Sequence, residues 1–366
     1  MAKRIIISGG GTGGHIFPAI AIANALKKQD PEVEILFVGA KGKMEMEKVP
    51  QAGYPIEGLD IAGFNRSSLI KNIGLPFKLV KSFLQVRRLF ARFRPDAAIG
   101  VGGYSTFPVL RYAQQKGIPT YIHESNAFAG KANIMLGKKA SRILVAADGM
   151  EKFFPAARIV KTGNPVRHVF TEASVSRTDA LKFWGLEEGA PVLLVVGGSL
   201  GAKSINEAVL EGIGKLEQAG IQLIWQTGQL FGDAAVNAVA GKKGMNAQPF
   251  IKEMEMAYAA ADLVVSRAGA MAIAELCVVG KPVIFVPYPH AAEDHQTVNA
   301  KNLESEGAGI MIRDSEVKTA LIPTVLTLAA DAKEREKLKQ NIRRLAVRDA
   351  DIKIANLVLN DLKKEK

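Results

Sequence analysis

The chain has 366 residues, 48% apolar and 23% charged, an ordinary globular mix with enough length for two domains. Lys and Arg outnumber Asp and Glu 48 to 36, and the net charge of +12 favours an anionic partner: nucleic acid, a membrane surface or a phosphorylated ligand. The single cysteine, Cys277, excludes an intrachain disulfide and a Cys-based metal site and suits a reducing compartment. The apolar run Ile5-Ile6-Ile7 is too short for a signal peptide, and no stretch reads as a membrane-spanning helix.

Residues 4–8, 33–38, 97–101, 120–123 and 142–145 read as buried strands, with helical patterns between them that include 16–28 and 69–93. This alternation predicts a parallel sheet covered on both faces. The pattern pauses at Thr162-Gly163-Asn164-Pro165, and a polar stretch runs to about Asp179. Strand candidates then resume at 191–196, 222–226, 263–266, 282–287 and 309–312, and a charged helical region, 333–366, ends the chain. Both halves open alike, with an apolar strand, a glycine turn and a helix. The expected fold is α/β, with two doubly wound domains joined near residue 165.

Gly9, Gly11 and Gly14 have the G-x-G-x-x-G spacing that brings backbone N–H groups to an anion at a helix N-terminus. A dinucleotide site also wants an acid at the end of the second strand, and Phe37-Val38-Gly39-Ala40-Lys41 offers none. NAD is thereby disfavoured and an NADP-dependent oxidoreductase is a distant alternative; a tight turn with no ligand is the bland one. Gly197–Ser204 nearly spells a Walker A loop, but Ala202 stands where the glycine should be. Asp349-Ala350-Asp351 has the D-x-D form of a metal motif, yet reads better as a helix cap or a solvated face, so no metal site is expected.

Several motifs occur in order: Gly-Gly-Thr-Gly-Gly-His at 10–15, Gly-Val-Gly-Gly-Tyr at 100–104 and His-Glu-Ser-Asn at 123–126. Gly-Asn-Pro-Val-Arg at 163–167, Gly-Gly-Ser-Leu-Gly-Ala at 197–202, Ser-Arg-Ala-Gly-Ala at 266–270 with Glu275, and Asp-His-Gln at 294–296 follow. The ordered set resembles the GT-B glycosyltransferases that convert lipid I to lipid II in bacterial peptidoglycan synthesis. The resemblance implies two Rossmann-like domains facing across a cleft. It implies residues 1–163 as an acceptor and membrane-binding domain, 164–340 as a UDP-sugar-binding domain, and 341–366 as a helix returning to the first. It implies UDP-N-acetylglucosamine as donor, undecaprenyl-pyrophosphoryl-N-acetylmuramyl-pentapeptide as acceptor, no cofactor, other cell-wall synthesis proteins as partners, and a peripheral place on the cytoplasmic face of the cell membrane.

Carried over residue by residue, the resemblance places Thr12, Gly13 and Gly14 near the transferred sugar, Asn126 on the same donor and Arg167 at the domain junction. Ser199 meets the diphosphate, Ile251 the uracil through its backbone, Ala270 and Met271 open a second helix N-terminus, Glu275 accepts from the ribose and Gln296 reaches the sugar. His15 is the candidate base for an inverting transfer, because neutral imidazole accepts a proton near pH 7; Glu124 is an alternative. Asn126 and Ser199 also suit plain helix capping, Arg167 and Glu275 plain solvation, His123 a satisfied core histidine and Cys277 a small buried apolar residue. A related transferase using UDP-glucose or UDP-galactose, and a non-catalytic basic binder, are the rival readings.

Residues 61–95 contain no acid but hold eight Lys and Arg among many apolar residues. Cations beside apolar side chains suit an anionic membrane surface, and Lys71, Ile73, Leu75, Phe77, Lys78 and Lys81 are the candidate docking residues. A core helix with a solvated basic face is the alternative. No recognised motif supports nucleic acid. Pro76 is expected to break any single long helix here.

Overall fold

The computed structural model describes residues 2–62, 74–171, 175–291 and 294–364. The chain divides into two compact units, Met1–Arg167 with Asp349–Lys366, and His168–Arg348. The division falls slightly beyond the 163/164 boundary, and the return to the first unit begins at Asp349 rather than at 341.

The first unit is built on seven parallel strands: β1 (Arg4–Gly9), β2 (Glu34–Ala40), β3 (Ile56–Leu59), β4 (Ala97–Gly102), β5 (Thr120–Glu124), β6 (Arg142–Val145) and β7 (Ile159–Lys161), in the order β3-β2-β1-β4-β5-β6-β7. Successive strand side chains point to opposite faces, and both faces are dry. Ile5 and Ile7 enter one layer with Ile22 and Leu26 of the helix Gly13–Gln29 and Ile354 and Val358 of the helix Ala350–Lys364. Ile6 enters the other with Val86 and Phe90 of the helix Leu75–Phe93 and Val109 and Leu110 of the helix Thr106–Gln115. This double burial is why the central strands read as unbroken apolar runs.

The second unit repeats the plan with six parallel strands: β8 (Val192–Val196), β9 (Gln222–Gln226), β10 (Met245–Gln248), β11 (Leu263–Ser266), β12 (Val283–Phe285) and β13 (Ile310–Met311), in the order β10-β9-β8-β11-β12-β13. The strands that the sequence pattern does not announce, β3, β7 and β10, are all sheet edges. Their half-exposed residues, such as Glu57, Lys161 and Asn246, break the apolar run.

The charged region 333–366 is two helices, Ala332–Arg344 in the second unit and Ala350–Lys364 in the first. Asp349 precedes the latter and pairs with Lys353, whereas Asp351 is buried, so the D-x-D is not a wholly solvated face. Pro76 lies in the first turn of the helix Leu75–Phe93, and among the described residues no helix runs through it. In a first turn its missing N–H forfeits no helical bond. The part of the expected helix at 69–73 lies outside the described residues. Among the described residues, no helix is long and apolar enough to cross a membrane.

Candidate active site

In a doubly wound sheet, ligands gather beyond the carboxyl ends of the strands where the strand order reverses. The reversal lies between β1 and β4 in the first unit and between β8 and β11 in the second. Three helices start at these points: Gly13–Gln29 after β1, Lys203–Gln218 after β8 and Ala270–Val279 after β11. None has a side-chain cap or an acidic residue in its first turn. Uncapped first-turn N–H groups and the positive end of the dipole form a site for an anion or a polar sugar.

In the first unit, β1 runs into Gly10 and Gly11, the latter at φ +88°. Thr12 is exposed and extended and flanks the helix start, while Gly13 and Gly14 form its first turn. His15 follows, half-buried, with Nδ1 3.0 Å from the Gly10 carbonyl. A carbonyl only accepts, so Nδ1 carries the proton and Nε2 of the neutral ring is left as a base. Gly102, at φ +104°, makes room for that ring: a Cβ there would stand 2.6 Å from His15 Cδ2 and 2.7 Å from Nε2. The loop after β4 also crosses the glycine turn, since Gly10 N–H donates to the Gly102 carbonyl at 3.2 Å. The Arg167 guanidinium lies 4.9 Å from the centre of the Phe17 ring, whose edge adjoins Gly13. Arg167 is therefore held at this turn, not left as an ordinary surface arginine.

Asn126 lies in the loop after β5, away from any helix cap; the next helix is capped at Gly130. Its backbone N–H donates to Glu124 Oε1 at 3.2 Å. The buried Glu124 carboxylate also accepts from Gly130 N–H at 3.2 Å and from Asn133 Nδ2 at 2.8 Å. These donors make Glu124 the organiser of the Asn126 loop. His123 is buried with Nε2–H donating to the Gly163 carbonyl at 3.3 Å, and Nδ1 has no hydrogen-bond partner. Burial holds its imidazole down at about 4. It is a core histidine, but only half satisfied.

The acid that seemed to be missing after β2 is Glu45, the first residue of the helix Glu45–Gln51 and fully buried. Its Oε2 accepts from Gly11 N–H at 2.8 Å, and Oε1 accepts from Ala40 N–H at 2.9 Å. A turn whose N–H is already spent on a buried carboxylate does not cradle a pyrophosphate, which argues against the NADP alternative.

In the second unit, the turn after β8 brings glycine backbones into close contact. A Cβ on Gly201 (φ +79°) would fall 2.0 Å from the Thr227 carbonyl oxygen. Ser199 is exposed on this turn, and the helix that follows is capped by Ala202, so Ser199 is not its cap. Buried Gln226 ties the turn to Ile251: its Nε2 donates to the Gly198 carbonyl and its Oε1 accepts Ile251 N–H, each at 3.0 Å. The Ile251 amide is thus engaged, and only the carbonyl side of its backbone is left for a base. After β11, Ala270 and Met271 lie half-buried in the first turn of their helix and Glu275, also half-buried, at its middle. Gln296 flanks the start of that helix, its Nε2 3.9 Å from where a Cβ on Gly269 would lie, and its Oε1 accepts from Tyr288 N–H at 3.0 Å. Cys277 is buried, and burial pushes its thiol up to about 12.

Arg267 braces this end of the second sheet. Its guanidinium donates to the Val286 and Pro287 carbonyls, to Asp314 and to Ser204 Oγ, and so joins the ends of β11 and β12 to the helix after β8. In the sequence Arg267 stands within the Ser-Arg-Ala-Gly-Ala motif with no evident role. An arginine directly after a buried strand is the signal that could have found it.

The helix Leu75–Phe93 buries Ser82, Val86, Leu89 and Phe90 and leaves Phe77, Val80 and Leu84 79%, 62% and 52% exposed. Leu75 is half-buried and Lys78 exposed, while Lys71 and Ile73 lie outside the described residues. The basic stretch is not without acids in space: Lys81 pairs with Asp60 at 3.0 Å, and Arg92 pairs with Glu57.

Residues 5–145 match the glycosyltransferase family 28 N-terminal domain, and residues 192–354 match the C-terminal domain of the same family. A UDP-N-acetylglucosamine–N-acetylmuramyl-(pentapeptide) pyrophosphoryl-undecaprenol N-acetylglucosamine transferase from Phocaeicola vulgatus is 50% identical over 362 residues, 98% of this chain and 95% of the relative. A Cytophaga hutchinsonii protein of the same description is 47% identical, over 97% of this chain and 96% of its own. The crystal structure of Acinetobacter baumannii MurG superposes with a TM-score of 0.74 at 30% identity, covering 98% of this chain and 99% of that one. With both family domains matched in order and likeness at this level from end to end, the chain belongs to glycosyltransferase family 28.

Proposed function

We propose that the chain transfers N-acetylglucosamine from UDP-N-acetylglucosamine to the C4 hydroxyl of the muramyl sugar of lipid I, inverting the anomeric centre and giving lipid II. The observation that carries this reading is the end-to-end likeness to relatives named for that reaction. The geometry supports the following chemistry. His15 Nε2 takes the C4 hydroxyl proton as that oxygen bonds to C1 of the donor sugar. The bond from C1 to the β-phosphate oxygen breaks, and its electron pair leaves with UDP. The positive ends of the helices Lys203–Gln218 and Ala270–Val279 stabilise the charge on the leaving diphosphate. Ser199, the Ile251 carbonyl, Ala270, Met271, Glu275 and Gln296 hold the donor, and Thr12, Gly13, Gly14, Asn126 and Arg167 surround the transferred sugar.

The acceptor carries a polyprenyl tail, so the enzyme works at a membrane. Exposed Phe77, Val80 and Leu84, with Lys78 beside them, support docking of the helix Leu75–Phe93 on an anionic bilayer at its cytoplasmic face. A transfer assay with a lipid I analogue and UDP-N-acetylglucosamine, UDP-N-acetylgalactosamine, UDP-glucose or UDP-galactose tests the reading. Turnover should be confined to the first donor, and preference for any other would refute the assignment.

A further inference from the structure

We propose that Glu45 is a positioning residue for His15 and acts through the Gly10–Gly11 peptide. The Gly11 N–H and the Gly10 carbonyl are the two ends of one peptide unit. Glu45 Oε2 accepts from the N–H end at 2.8 Å, and His15 Nδ1 donates to the carbonyl end at 3.0 Å. Carboxylate, peptide and imidazole thus form one hydrogen-bonded line. Negative charge at the N–H end polarises the peptide and makes its carbonyl a stronger acceptor, because hydrogen bonds in series reinforce one another. The stronger acceptor holds the proton on Nδ1, fixes the ring and keeps the lone pair on Nε2. It also steadies the imidazolium formed when Nε2 takes a proton. A carboxylate bonded directly to a histidine does the same work; here a peptide is interposed.

The fold is shaped to keep the carboxylate in place. Glu45 is 1% exposed, so water does not screen it. Its second oxygen is anchored by Ala40 N–H at 2.9 Å. It opens its helix, where the dipole favours negative charge. Two glycines make its room: a Cβ on Gly10 would stand 2.2 Å from Glu45 Oε1, and one on Gly39 2.4 Å from Glu45 Cγ. A mere filler of that space would not need to bury a charge, which is costly without such partners.

The inference rests on His15 as the base, and its test is chosen to separate the two claims. In protein labelled with 15N-histidine, the Nδ1 and Nε2 shifts of His15, assigned by their loss in His15→Ala, report which nitrogen carries the proton. Wild type should show the Nδ1-protonated form. Glu45→Gln keeps the volume but turns an NH2 group toward one of the two donors. It should give a mixture of tautomers and lower kcat about 10-fold or more, the scale for outer partners of a functional histidine, with KM for the donor unchanged. Glu45→Asp keeps the charge but withdraws it by one methylene, and both effects should be intermediate. A folded Gln variant with the wild-type His15 spectrum and kcat would overturn the proposal. If Gln does not fold, an Asp variant indistinguishable from wild type does the same. Should His15→Ala retain full turnover while the tautomer still responds to Glu45, the base assignment fails and the positioning claim stands.

Discussion

Gly102→Ala probes the His15 geometry without touching His15. Gly102 has φ +104°, a conformation that costs an alanine about 1–3 kcal/mol. The new Cβ would begin 2.6 Å from His15 Cδ2 and 2.7 Å from Nε2. Carbon contacts settle at about 3.5–4.0 Å, so the ring must retreat by about 1 Å. That retreat stretches the 3.0 Å bond from Nδ1 to the Gly10 carbonyl and carries Nε2 away from the hydroxyl it serves. A displacement of this size at a reacting group costs about 10²-fold in rate, equivalent to about 2.7 kcal/mol of barrier. Nothing in the second unit changes, so UDP affinity by calorimetry should match wild type while kcat in the transfer assay falls. Circular dichroism should show an intact fold with a modestly lower Tm. A folded variant with kcat within about twofold of wild type would refute the assignment of His15 Nε2 to the chemistry.

His123 gives the first unit an acid-side pH dependence. Its imidazole sits at about 4 instead of the ordinary 6.5 because it is buried. The unfolded chain therefore takes up the proton first, and stability present above pH 6.5 should fall progressively toward pH 4, by about 3 kcal/mol in all; denaturation midpoints that stay flat across that window would contradict it. Arg267→Met leaves Asp314, 22% exposed, without its cation and strips the Val286 and Pro287 carbonyls of their donor. It should cost about 3–5 kcal/mol in urea unfolding and weaken UDP binding, and a loss under about 1 kcal/mol would show that the brace is dispensable. Replacing Phe77, Val80 and Leu84 together by Ser should lower affinity for anionic vesicles about 10³-fold or more, since each fully buried apolar side chain is worth about 1.5–3 kcal/mol, with little change in Tm because all three are exposed. Normal co-sedimentation would place the docking surface elsewhere.

The fold was legible wherever burial was two-sided. Ile5-Ile6-Ile7 and Leu193-Leu194-Val195 announce central parallel strands because every residue is buried. The edge strands Ile56–Leu59, Ile159–Lys161 and Met245–Gln248 are not legible, because a half-solvated strand carries polar residues and loses its signature, whereas the edge strand Ile310–Met311 still reads as apolar. The glycine turns and His15 were legible as motifs, but their hydrogen bonding was not. Glu45 is not legible as the acid of the glycine turn, because it does not stand at the end of β2 and reaches the turn only by folding back from the following helix. Residue type alone favours helix capping for Asn126 and Ser199; the helix starts at Gly130 and Ala202 decide against both. Lys81 and Arg92 looked unopposed because Asp60 and Glu57 lie just outside the basic run and meet it only in three dimensions.

The central claim is that one inverting step joins C1 of N-acetylglucosamine to the muramyl C4 oxygen of lipid I. The most direct measurement is NMR of the product formed from UDP-N-acetylglucosamine and a soluble lipid I analogue, reading the anomeric coupling and the cross-linkage correlation. The account predicts a single β-1,4-linked disaccharide, formed by wild type and lost in His15→Ala while UDP binding persists. An α-linked product, attachment at another hydroxyl, or release of free N-acetylglucosamine without transfer would contradict it.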